Sequence, residues 1–226
     1  MPQGIFITGT DTGVGKTQVS AALLRALVAG GCRAVGMKPV ASGCEFSPGG
    51  WSNEDARALI EASHPQPAYA DCNPYALHDA VAPHLAAAAQ GVEIELGPIR
   101  AGYAALAASA DFIVVEGAGG WAVPLSPRLM QADIPRALGL DVVLVVGLRL
   151  GCINHALLSA AAIRADGCRL RGWIGNAIDP AQPLQRENIA TLRERLDADC
   201  LGLLGYNPPD PAAALAAAAA GLRAQS

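Results

Sequence analysis

Residues 8–17 read Thr-Gly-Thr-Asp-Thr-Gly-Val-Gly-Lys-Thr and directly follow the short apolar run Ile5-Phe6-Ile7. A glycine-rich turn between a strand and a helix is typical of a phosphate-binding loop, because its backbone N–H groups cradle phosphate oxygens. In such a loop Lys16 reaches the β- and γ-phosphates, and the Thr17 hydroxyl binds Mg²⁺. The usual spacing places a glycine at position 10, whereas this chain has it one residue earlier. We interpret the segment as a longer-loop variant of the phosphate-binding loop.

Strand and helix signals alternate along the rest of the chain. Several apolar runs consist of Val, Ile and Leu without interruption, as expected for parallel strands that are covered on both faces. The alternation predicts an α/β fold: a doubly wound, mostly parallel sheet with helices on both faces, of the P-loop NTPase type, with residues 1–226 as a single domain. The predicted strands are Gly4–Thr8, Ala34–Val40, Phe112–Glu116, Val142–Gly147, Leu170–Asn176 and Leu201–Gly205. The predicted helices are Lys16–Ala29, Glu54–Ala62, His84–Gln90, Ile99–Ala108, Asp133–Leu138, Asn154–Arg164, Leu184–Leu196 and Ala212–Leu222, with the proline-rich residues 63–83 as a connecting excursion.

The composition is that of a globular protein, since 52% of the 226 residues are hydrophobic and only 16% are charged. The net charge is −4 and no basic patch stands out, which argues against nucleic acid as a partner. No basic leader precedes the phosphate loop, and no apolar run reaches the roughly 18 residues that a membrane helix requires. We therefore expect a cytoplasmic protein without a membrane contact. The cysteines are scattered, so we expect neither a disulfide framework nor a zinc site.

Polar or glycine-rich turns follow the predicted strands, at the edge where open α/β sheets bind ligands. Glu116 ends an apolar strand, which is the position of the acidic residue that binds or orients Mg²⁺ in phosphate-loop enzymes. The glycines directly after it favour the close approach of a ligand. Lys38 ends another strand and is a candidate second cation beside the triphosphate. Further turns at this edge contain Gly117-Ala118-Gly119, Gly151-Cys152-Ile153-Asn154, Asn176 and Gly205-Tyr206-Asn207-Pro208.

Asp55 has two interpretations from the residues alone. Ser52-Asn53-Glu54-Asp55 fits a capping box, in which Asp55 is a first-turn carboxylate that stabilises a helix. Carboxylate oxygens are also preferred ligands of Mg²⁺, and Glu54 competes with Asp55 for that role. Spacing alone does not decide between a helix cap and a metal ligand. The turn at Gly151 is similarly open, because Asn154 can serve as a plain N-cap of the following helix.

A set of segments matches one enzyme family. They are residues 8–17, Lys38-Pro-Val-Ala-Ser-Gly43, Asn53 with Asp55-Ala56, Asn73-Pro-Tyr75, Val115-Glu-Gly-Ala-Gly-Gly-Trp121, Pro124-Leu125 and Gly151-Cys-Ile-Asn-His-Ala156. With these segments the chain resembles dethiobiotin synthetase, the ATP-dependent ring-closing carboxylase of biotin biosynthesis. The resemblance spans residues 4–176, and the C-terminal fifth matches only loosely.

The resemblance implies ATP as co-substrate and Mg²⁺ as cofactor, with Thr17, Asp55 and Glu116 around the metal. Of the two interpretations of Asp55, the resemblance therefore favours the metal ligand over the helix-stabilising carboxylate. The catalytic residues that it implies are Lys16, Lys38 and Thr12, of which the last two meet a substrate carbamate and the γ-phosphate. The remaining nucleotide contacts that it implies are Gly13, Val14, Gly15, Gln18, Gly117, Ala118, Gly119, Asn176, Gly205, Tyr206, Asn207 and Pro208.

The resemblance also implies the reaction and the partners. One amine of 7,8-diaminononanoate attacks CO₂, and the resulting carbamate attacks the γ-phosphate of ATP to give a carbamic–phosphoric anhydride. The second amine then closes the ring of dethiobiotin, with release of ADP and phosphate. Ser42 contacts the diamine, and the distal carboxylate is held by Gly151, Cys152, Ile153 and Asn154 from the second subunit of a homodimer. Two positions depart from the family pattern: Gly13, where some members carry an acid, and Ala177, beside the base-binding Asn176.

Two rival functions share the fold. A partition-type ATPase switch, which binds a protein partner, carries a signature lysine early in its phosphate loop, and the aligned residue here is Asp11. A related amidoligase of cobalamin synthesis continues into a glutaminase domain that this chain is too short to hold. The missing lysine, together with Lys38 and the Gly-Cys-Ile-Asn turn, favours the synthetase.

Overall fold

The computed structural model describes residues 3–224 and is built on alternating strands and helices. Within these residues the strands are β1 (Gln3–Gly9), β2 (Ala34–Met37), β3 (Val40–Ala41), β4 (Glu45–Ser47), β5 (Gly50–Ser52), β6 (Tyr75–Ala76), β7 (Phe112–Glu116), β8 (Asp141–Leu148), β9 (Leu170–Ala177) and β10 (Cys200–Leu204). The helices are α1 (Lys16–Ala29), α2 (Glu54–Ala62), α3 (Tyr69–Cys72), α4 (Pro83–Ala89), α5 (Leu96–Ala107), α6 (Asp133–Leu138), α7 (Cys152–Ala165), α8 (Gln185–Arg195), α9 (Pro211–Ala214) and α10 (Ala216–Ala224).

The main sheet has six parallel strands in the order β10-β9-β8-β1-β7-β2. Strand β1 lies at the centre between β7 and β8, so the phosphate loop that follows β1 emerges in the middle of the sheet's carboxyl edge. Strand β7 is buried along its whole length, which explains its apolar run Phe112–Val115 ahead of Glu116. Two hydrophobic clusters cover the sheet, one on each face. The predicted doubly wound fold is confirmed.

Strand β2 ends three residues earlier than predicted. The predicted strand Ala34–Val40 pairs with β7 only as far as Met37. The Lys38 N–H donates instead to the Cys72 carbonyl at 2.8 Å, and Pro39 has no N–H to contribute to the ladder. Val40 then begins β3, which pairs with β6 in a separate small sheet. The break carries Lys38 away from the main sheet and over its carboxyl edge.

Two other segments differ from the prediction. The excursion over residues 63–83 contains α3 and β6, which supply the partners just described. The alanine-rich helix predicted over Ala212–Leu222 is divided into α9 and α10 by the fully buried Leu215. The other predicted helices are present, with ends that differ by at most three residues. No helix within residues 3–224 combines the length and the apolar character that crossing a membrane requires.

Candidate active site

The phosphate loop joins β1 to α1 and packs against residues of β8 and β9. Gly13 and Gly15 adopt φ values of 76° and 84°, a left-handed conformation that favours glycine. The Thr10 N–H donates to the Val145 carbonyl of β8 at 2.9 Å. A Cβ atom added at Gly15 would lie 2.1 Å from Asn176 Nδ2, so no larger residue fits there. The backbone conformation and the close packing therefore account for glycine at these two positions of the predicted glycine-rich turn.

Lys16 is the first residue of α1 and is buried. Its ammonium donates to the Asp11 carbonyl at 3.1 Å. Burial, assisted by the nearby positive charge of Lys38, lowers the pKa of Lys16 from its ordinary value of 10.5 to about 8, against the opposing effect of Glu116 and Asp55. A phosphate bound beside Lys16 would give its ammonium a close anionic partner.

Lys38 forms a compact ionic cluster with two carboxylates. Its ammonium lies 2.6 Å from Glu116 Oε1 and 2.9 Å from Asp55 Oδ2, and it also donates to the Gly117 carbonyl at 3.1 Å. The Thr17 hydroxyl lies 2.8 Å from Asp55 Oδ1 and 2.9 Å from Glu116 Oε1. The fold thus brings together the four side chains that the sequence predicted around the metal and the reacting phosphate.

Lys38 and Asp55 keep their charged forms in this cluster. Burial lowers the pKa of Lys38, but the adjacent carboxylates of Glu116 and Asp55 outweigh it and leave the pKa above its ordinary value. Burial likewise raises the pKa of Asp55, and the Lys38 ammonium outweighs it so that the pKa lies below its usual range. Lys38 is therefore a cation and Asp55 an anion at neutral pH.

The helix cap and the candidate metal ligand are different residues. Asn53, not Ser52, caps α2, and its side chain accepts the N–H groups of Asp55 and Ala56 at 2.9 and 3.4 Å. The Asp55 carboxylate is thereby free to contact Thr17 and Lys38, whereas Glu54 is exposed. The capping box with Ser52 at the cap is therefore wrong, although Asp55 does lie in the first turn of α2.

The donor set fits a magnesium ion. Glu116 Oε2 is buried and has no hydrogen-bond partner, although Glu116 Oε1 has two. An unpaired buried carboxylate oxygen beside the Thr17 hydroxyl and the Asp55 carboxylate suits a hard cation. Mg²⁺ takes one or two carboxylates together with phosphate oxygens and water, so this small set is sufficient. No group of three or more His, Cys, Asp or Glu side chains suited to a metal occurs within residues 3–224.

A cavity of about 600 Å³ opens beside the cluster. Thr12 and Ser42 lie on its wall, and the buried Ser42 Oγ has no hydrogen-bond partner. An apolar segment, residues 80–83, also lines the cavity, which therefore offers both polar contacts and a surface for a hydrocarbon chain. Its lining consists of Thr12, Lys38, Ala41, Ser42, Asn53, Asp55, Ala80, Val81, Ala82, Pro83, Ala118, Gly119, Gly120 and Val123.

Asn176 lies directly beside the phosphate loop. Its amide donates to the Val14 carbonyl at 3.0 Å and to Gln18 Oε1 at 3.3 Å, and its Oδ1 is buried without a partner. Leu204 pairs with Asn176 in the sheet, so the exposed turn Gly205–Pro208 begins next to it. The residues predicted for the nucleobase therefore occupy neighbouring positions on the same edge.

The predicted carboxylate anchor lies elsewhere. Helix α7 begins at Cys152, with Gly151 at the cap in a left-handed conformation (φ 93°). Asn154 is consequently inside the first turn, and the alternative that it is the N-cap is wrong. None of the described residues 151–154 lines the 600 Å³ cavity. Within one chain, the anchor and the ionic cluster are separate features.

Comparison with known sequences identifies the family. Two proteins of Xanthomonas oryzae pv. oryzae, from strains PXO99A and MAFF 311018, are each 60% identical over 215 residues, which cover 95% of this chain and 96% of theirs. Both are named ATP-dependent dethiobiotin synthetase BioD. The chain belongs to the dethiobiotin synthetase family. A Xylella fastidiosa protein of the same name is 58% identical over 90% of each chain, and the family model described as AAA domain matches residues 3–210.

Solved structures confirm the fold of this dethiobiotin synthetase family member. The cell division protein MinD of Aquifex aeolicus superposes with a TM-score of 0.62 at 17% identity, covering 99% of this chain and 98% of that one. FtsY of Thermotoga maritima gives 0.52 at 17% identity, covering 97% of this chain and 69% of that one. At such low identity these likenesses extend to the fold alone.

Sequence analysis missed two residues that contact this candidate site, Gln131 and Arg149, and gave no role in it to a third, Asp11. Gln131 is buried, accepts the Ala118 N–H at 2.6 Å through Oε1, and donates to the Gly120 carbonyl through Nε2. Arg149 pairs with Asp11 of the phosphate loop. Gln131 lies in an irregular segment and has no sequence signal. Asp11 was noted only for not being a lysine, and its partner is 138 residues away.

Proposed function

We propose that this chain carboxylates 7,8-diaminononanoate with CO₂ and closes the ring to dethiobiotin, with conversion of ATP to ADP and phosphate. The observation that supports the proposal most directly is the Lys38–Glu116–Asp55–Thr17 cluster. It lies between the phosphate loop and a cavity that is lined by both polar and apolar residues. Membership of the dethiobiotin synthetase family indicates which substrates to propose.

The first step joins the diamine to CO₂. One neutral amine attacks the carbon, a C–N bond forms, and the amine loses a proton to leave a carbamate. Ser42 Oγ, which is buried without a partner on the cavity wall, holds the diamine by a hydrogen bond. The apolar residues 80–83 pack against the hydrocarbon chain of the substrate.

The second step transfers the γ-phosphoryl group. A carbamate oxygen attacks the γ-phosphorus, the bond to the β-phosphate oxygen breaks, and ADP leaves with that electron pair. Carbamate and triphosphate are both anionic and repel each other, so cations must hold them together. The ammonium groups of Lys16 and Lys38 neutralise this charge, and Thr12 donates to the transferring group.

The third step closes the ring. The second amine attacks the carbonyl carbon of the carbamic–phosphoric anhydride, phosphate leaves, and the amine loses a proton. The leaving phosphate carries away one oxygen that entered with CO₂. Lys38 stabilises the charge that develops on this phosphate as the C–O bond breaks.

Thr17, Asp55 and Glu116 would hold Mg²⁺, and Glu116 Oε2 is the unpaired oxygen that such an ion would satisfy. A bound Mg²⁺ neutralises phosphate charge and supplies a Lewis acid. The loop amides of Gly13–Gly15 and the side chain of Lys16 hold the phosphates. Gln18, Asn176 and the turn Gly205–Pro208 border the base, and Gly117–Gly119 allow the γ-phosphate a close approach. The cytoplasmic location and the single-domain organisation stay predictions.

The distal carboxylate of the diamine binds at Gly151–Asn154 of a second subunit. A helix N-terminus offers free N–H groups and a partial positive charge, which suit a carboxylate. The described residues 151–154 do not line the cavity of their own chain, which supports a homodimer with shared sites. The two ends of the substrate are then held by two different subunits.

The purified protein should convert diaminononanoate, Mg²⁺-ATP and bicarbonate to dethiobiotin, detected by mass spectrometry. With ¹³C-bicarbonate the label should appear in the ring carbonyl. With CO₂ labelled by ¹⁸O, one labelled oxygen should appear in the released phosphate, because the carbamate oxygen becomes a phosphate oxygen. Reactions without diamine are the control. Hydrolysis of ATP with no dethiobiotin would refute the proposed function, and unlabelled phosphate would refute the anhydride step.

A further inference from the structure

The acidic residue of the phosphate loop, Asp11, forms an ion pair with Arg149, which follows strand β8. Asp11 Oδ2 lies 2.6 Å from Arg149 Nη2, and Arg149 directly follows β8. The Arg149 carbonyl accepts the Cys152 N–H at 3.0 Å, so the same arginine belongs to the turn that begins α7. The contact therefore ties the phosphate loop to the start of α7.

Asp11 is in direct contact with the groups that bind phosphate. Its Oδ1 accepts the Thr12 N–H at 2.7 Å, and its carbonyl accepts the Lys16 ammonium at 3.1 Å. An unpaired carboxylate at this position would repel an incoming triphosphate, since charges a few ångströms apart interact strongly where they are partly shielded from water. A positive partner removes that repulsion.

We propose that Arg149 is a positioning residue for nucleotide binding, which neutralises Asp11 and fixes its carboxylate so that the phosphate loop accepts the triphosphate. The inference rests on ATP binding by the loop and does not depend on the carboxylation of a diamine. It gives a role to the acidic residue that occupies the position of the partition-type lysine. It also gives Arg149 a role distinct from direct contact with phosphate.

General stability does not account for the pair. Both side chains are about half exposed, and ion pairs of this kind contribute little to folding. The chain contains a matched pair, Arg33–Asp111, with the same 2.6 Å distance and similar exposure. Arg33 and Asp111 precede β2 and β7, so this pair lies at the opposite edge of the sheet, away from the phosphate loop. It serves as the control for the loss of any half-exposed ion pair.

The test is the affinity for Mg²⁺-ATP, measured by calorimetric titration without diamine. Arg149→Gln should weaken binding about tenfold at low salt, and the loss should shrink as salt screens the exposed Asp11 charge. Asp11→Asn alone should change affinity by no more than about twofold, because it removes the charge that needs neutralising. The double variant Asp11→Asn/Arg149→Gln should return to within about threefold of the parent affinity. Arg33→Gln should leave affinity unchanged.

Three outcomes would overturn the inference. They are an unchanged affinity in Arg149→Gln, a loss equal to that in Arg33→Gln, or a double variant as weak as Arg149→Gln. The last would mean that Arg149 binds phosphate itself. Thermal unfolding of each variant separates loss of affinity from loss of fold. If the affinities follow the expected pattern but no dethiobiotin forms, the proposed function fails while the role of Arg149 stands.

Discussion

The ammonium of Lys38 lies 2.6 Å from Glu116 Oε1, and the two side chains are only 4% and 0% exposed. Glu116 ends β7, whereas Lys38 follows β2, and the pair forms because β2 stops at Met37 and the chain then turns Lys38 over the sheet edge. Burying two charges costs several kcal/mol per ion, so such a pair is weak evidence for stability. Its place beside Thr17 and the phosphate loop fits the proposed role in phosphoryl transfer.

Replacement of Lys38 should separate catalysis from nucleotide binding. Lys38→Met keeps most of the side-chain volume and removes the charge that meets the carbamate and the γ-phosphoryl group. We expect kcat for dethiobiotin to fall by about 10²–10³-fold, as for loss of one preorganised donor, with a smaller change in ATP affinity. Parallel measurements of product formation and ATP titration test this. A similar loss of ATP affinity in Lys38→Met and Lys16→Ala would contradict this division of roles.

The same replacement leaves Glu116 buried without its cation. Removal of one partner of a buried pair destabilises by roughly 3–5 kcal/mol. The double variant Lys38→Met/Glu116→Gln should therefore unfold at a higher temperature than Lys38→Met while remaining inactive. This comparison shows whether loss of activity follows loss of charge or loss of fold.

Lys16 should make ATP binding dependent on pH. Burial and Lys38 lower its pKa to about 8, so its positive charge is full well below that pH and is lost above it. Affinity for ATP should fall as the pH rises through about 8, and binding near this pH should take up protons because the phosphates raise the pKa. Titrations in buffers of different ionisation enthalpy measure that uptake. Lys16→Arg, which does not titrate in this range, should show neither effect, and Lys16→Ala should abolish turnover with the fold intact.

The lowered pKa of Lys16 also predicts how its contribution to folding stability changes with pH. The unfolded chain keeps this proton up to about 10.5, whereas the folded chain loses it near 8. Between these values the unfolded state binds more protons, so the contribution of Lys16 to folding stability rises with pH. Chemical denaturation of the parent and Lys16→Met without nucleotide should show this difference between about pH 8 and 10.5. A difference that is independent of pH would exclude the lowered pKa.

Asp55→Asn should affect magnesium and not the helix. Asn53 caps α2 and Glu116 remains as the closer partner of Lys38, so Asp55→Asn leaves both the cap and a buried ion pair in place and should change stability little. We expect reduced activity that is partly restored by excess Mg²⁺. Asn53→Ala is the matched control, since loss of an N-cap costs about 1 kcal/mol without removing a candidate ligand. If the Mg²⁺ activation curves of the parent and Asp55→Asn coincide, Asp55 is not a magnesium ligand and its role is structural.

Gln131 should act through the loop that follows β7. Its amide bridges Ala118 and Gly120, and the Gly117 carbonyl of this loop holds the Lys38 ammonium. Gln131→Glu can still accept from Ala118 but cannot donate to Gly120, so we expect kcat to fall about tenfold or more, the effect of a small displacement of a catalytic group.

Ser63 provides the structural control for Gln131. Ser63 is buried, accepts the Gly36 N–H at 2.9 Å and donates to the Leu59 carbonyl at 2.6 Å, which is the same hydrogen-bonding role away from the cavity. Ser63→Ala should lower the unfolding temperature with little change in kcat. Equal effects of Gln131→Glu and Ser63→Ala on kcat, after allowance for the folded fraction, would remove the positioning role.

The parts of the site that could be predicted from sequence are those encoded locally. The phosphate loop follows from consecutive residues, and Glu116 follows from an acid at the end of an apolar strand. The end of β2 could not be predicted, because it depends on a hydrogen bond from Lys38 to Cys72, 34 residues further along. Gln131 and the Asp11–Arg149 pair are contacts between distant segments and leave no periodicity. The alanine-rich C-terminus was misjudged because alanine marks no preferred face, and only the burial of Leu215 shows the break.

Complementation between two inactive chains should show whether the site is shared. Lys38→Met damages the phosphoryl-transfer side. Asn154→Asp places a carboxylate beside the proposed carboxylate anchor, where it repels the substrate but suits the first turn of α7. If each site combines Lys38 of one subunit with the anchor of the other, a heterodimer has one intact site. Random mixing then restores about a quarter of the parent activity, since half of the dimers are mixed and each has one of two sites. If each site lies within one subunit, every site keeps one lesion, and verified heterodimers should remain as inactive as the parental variants.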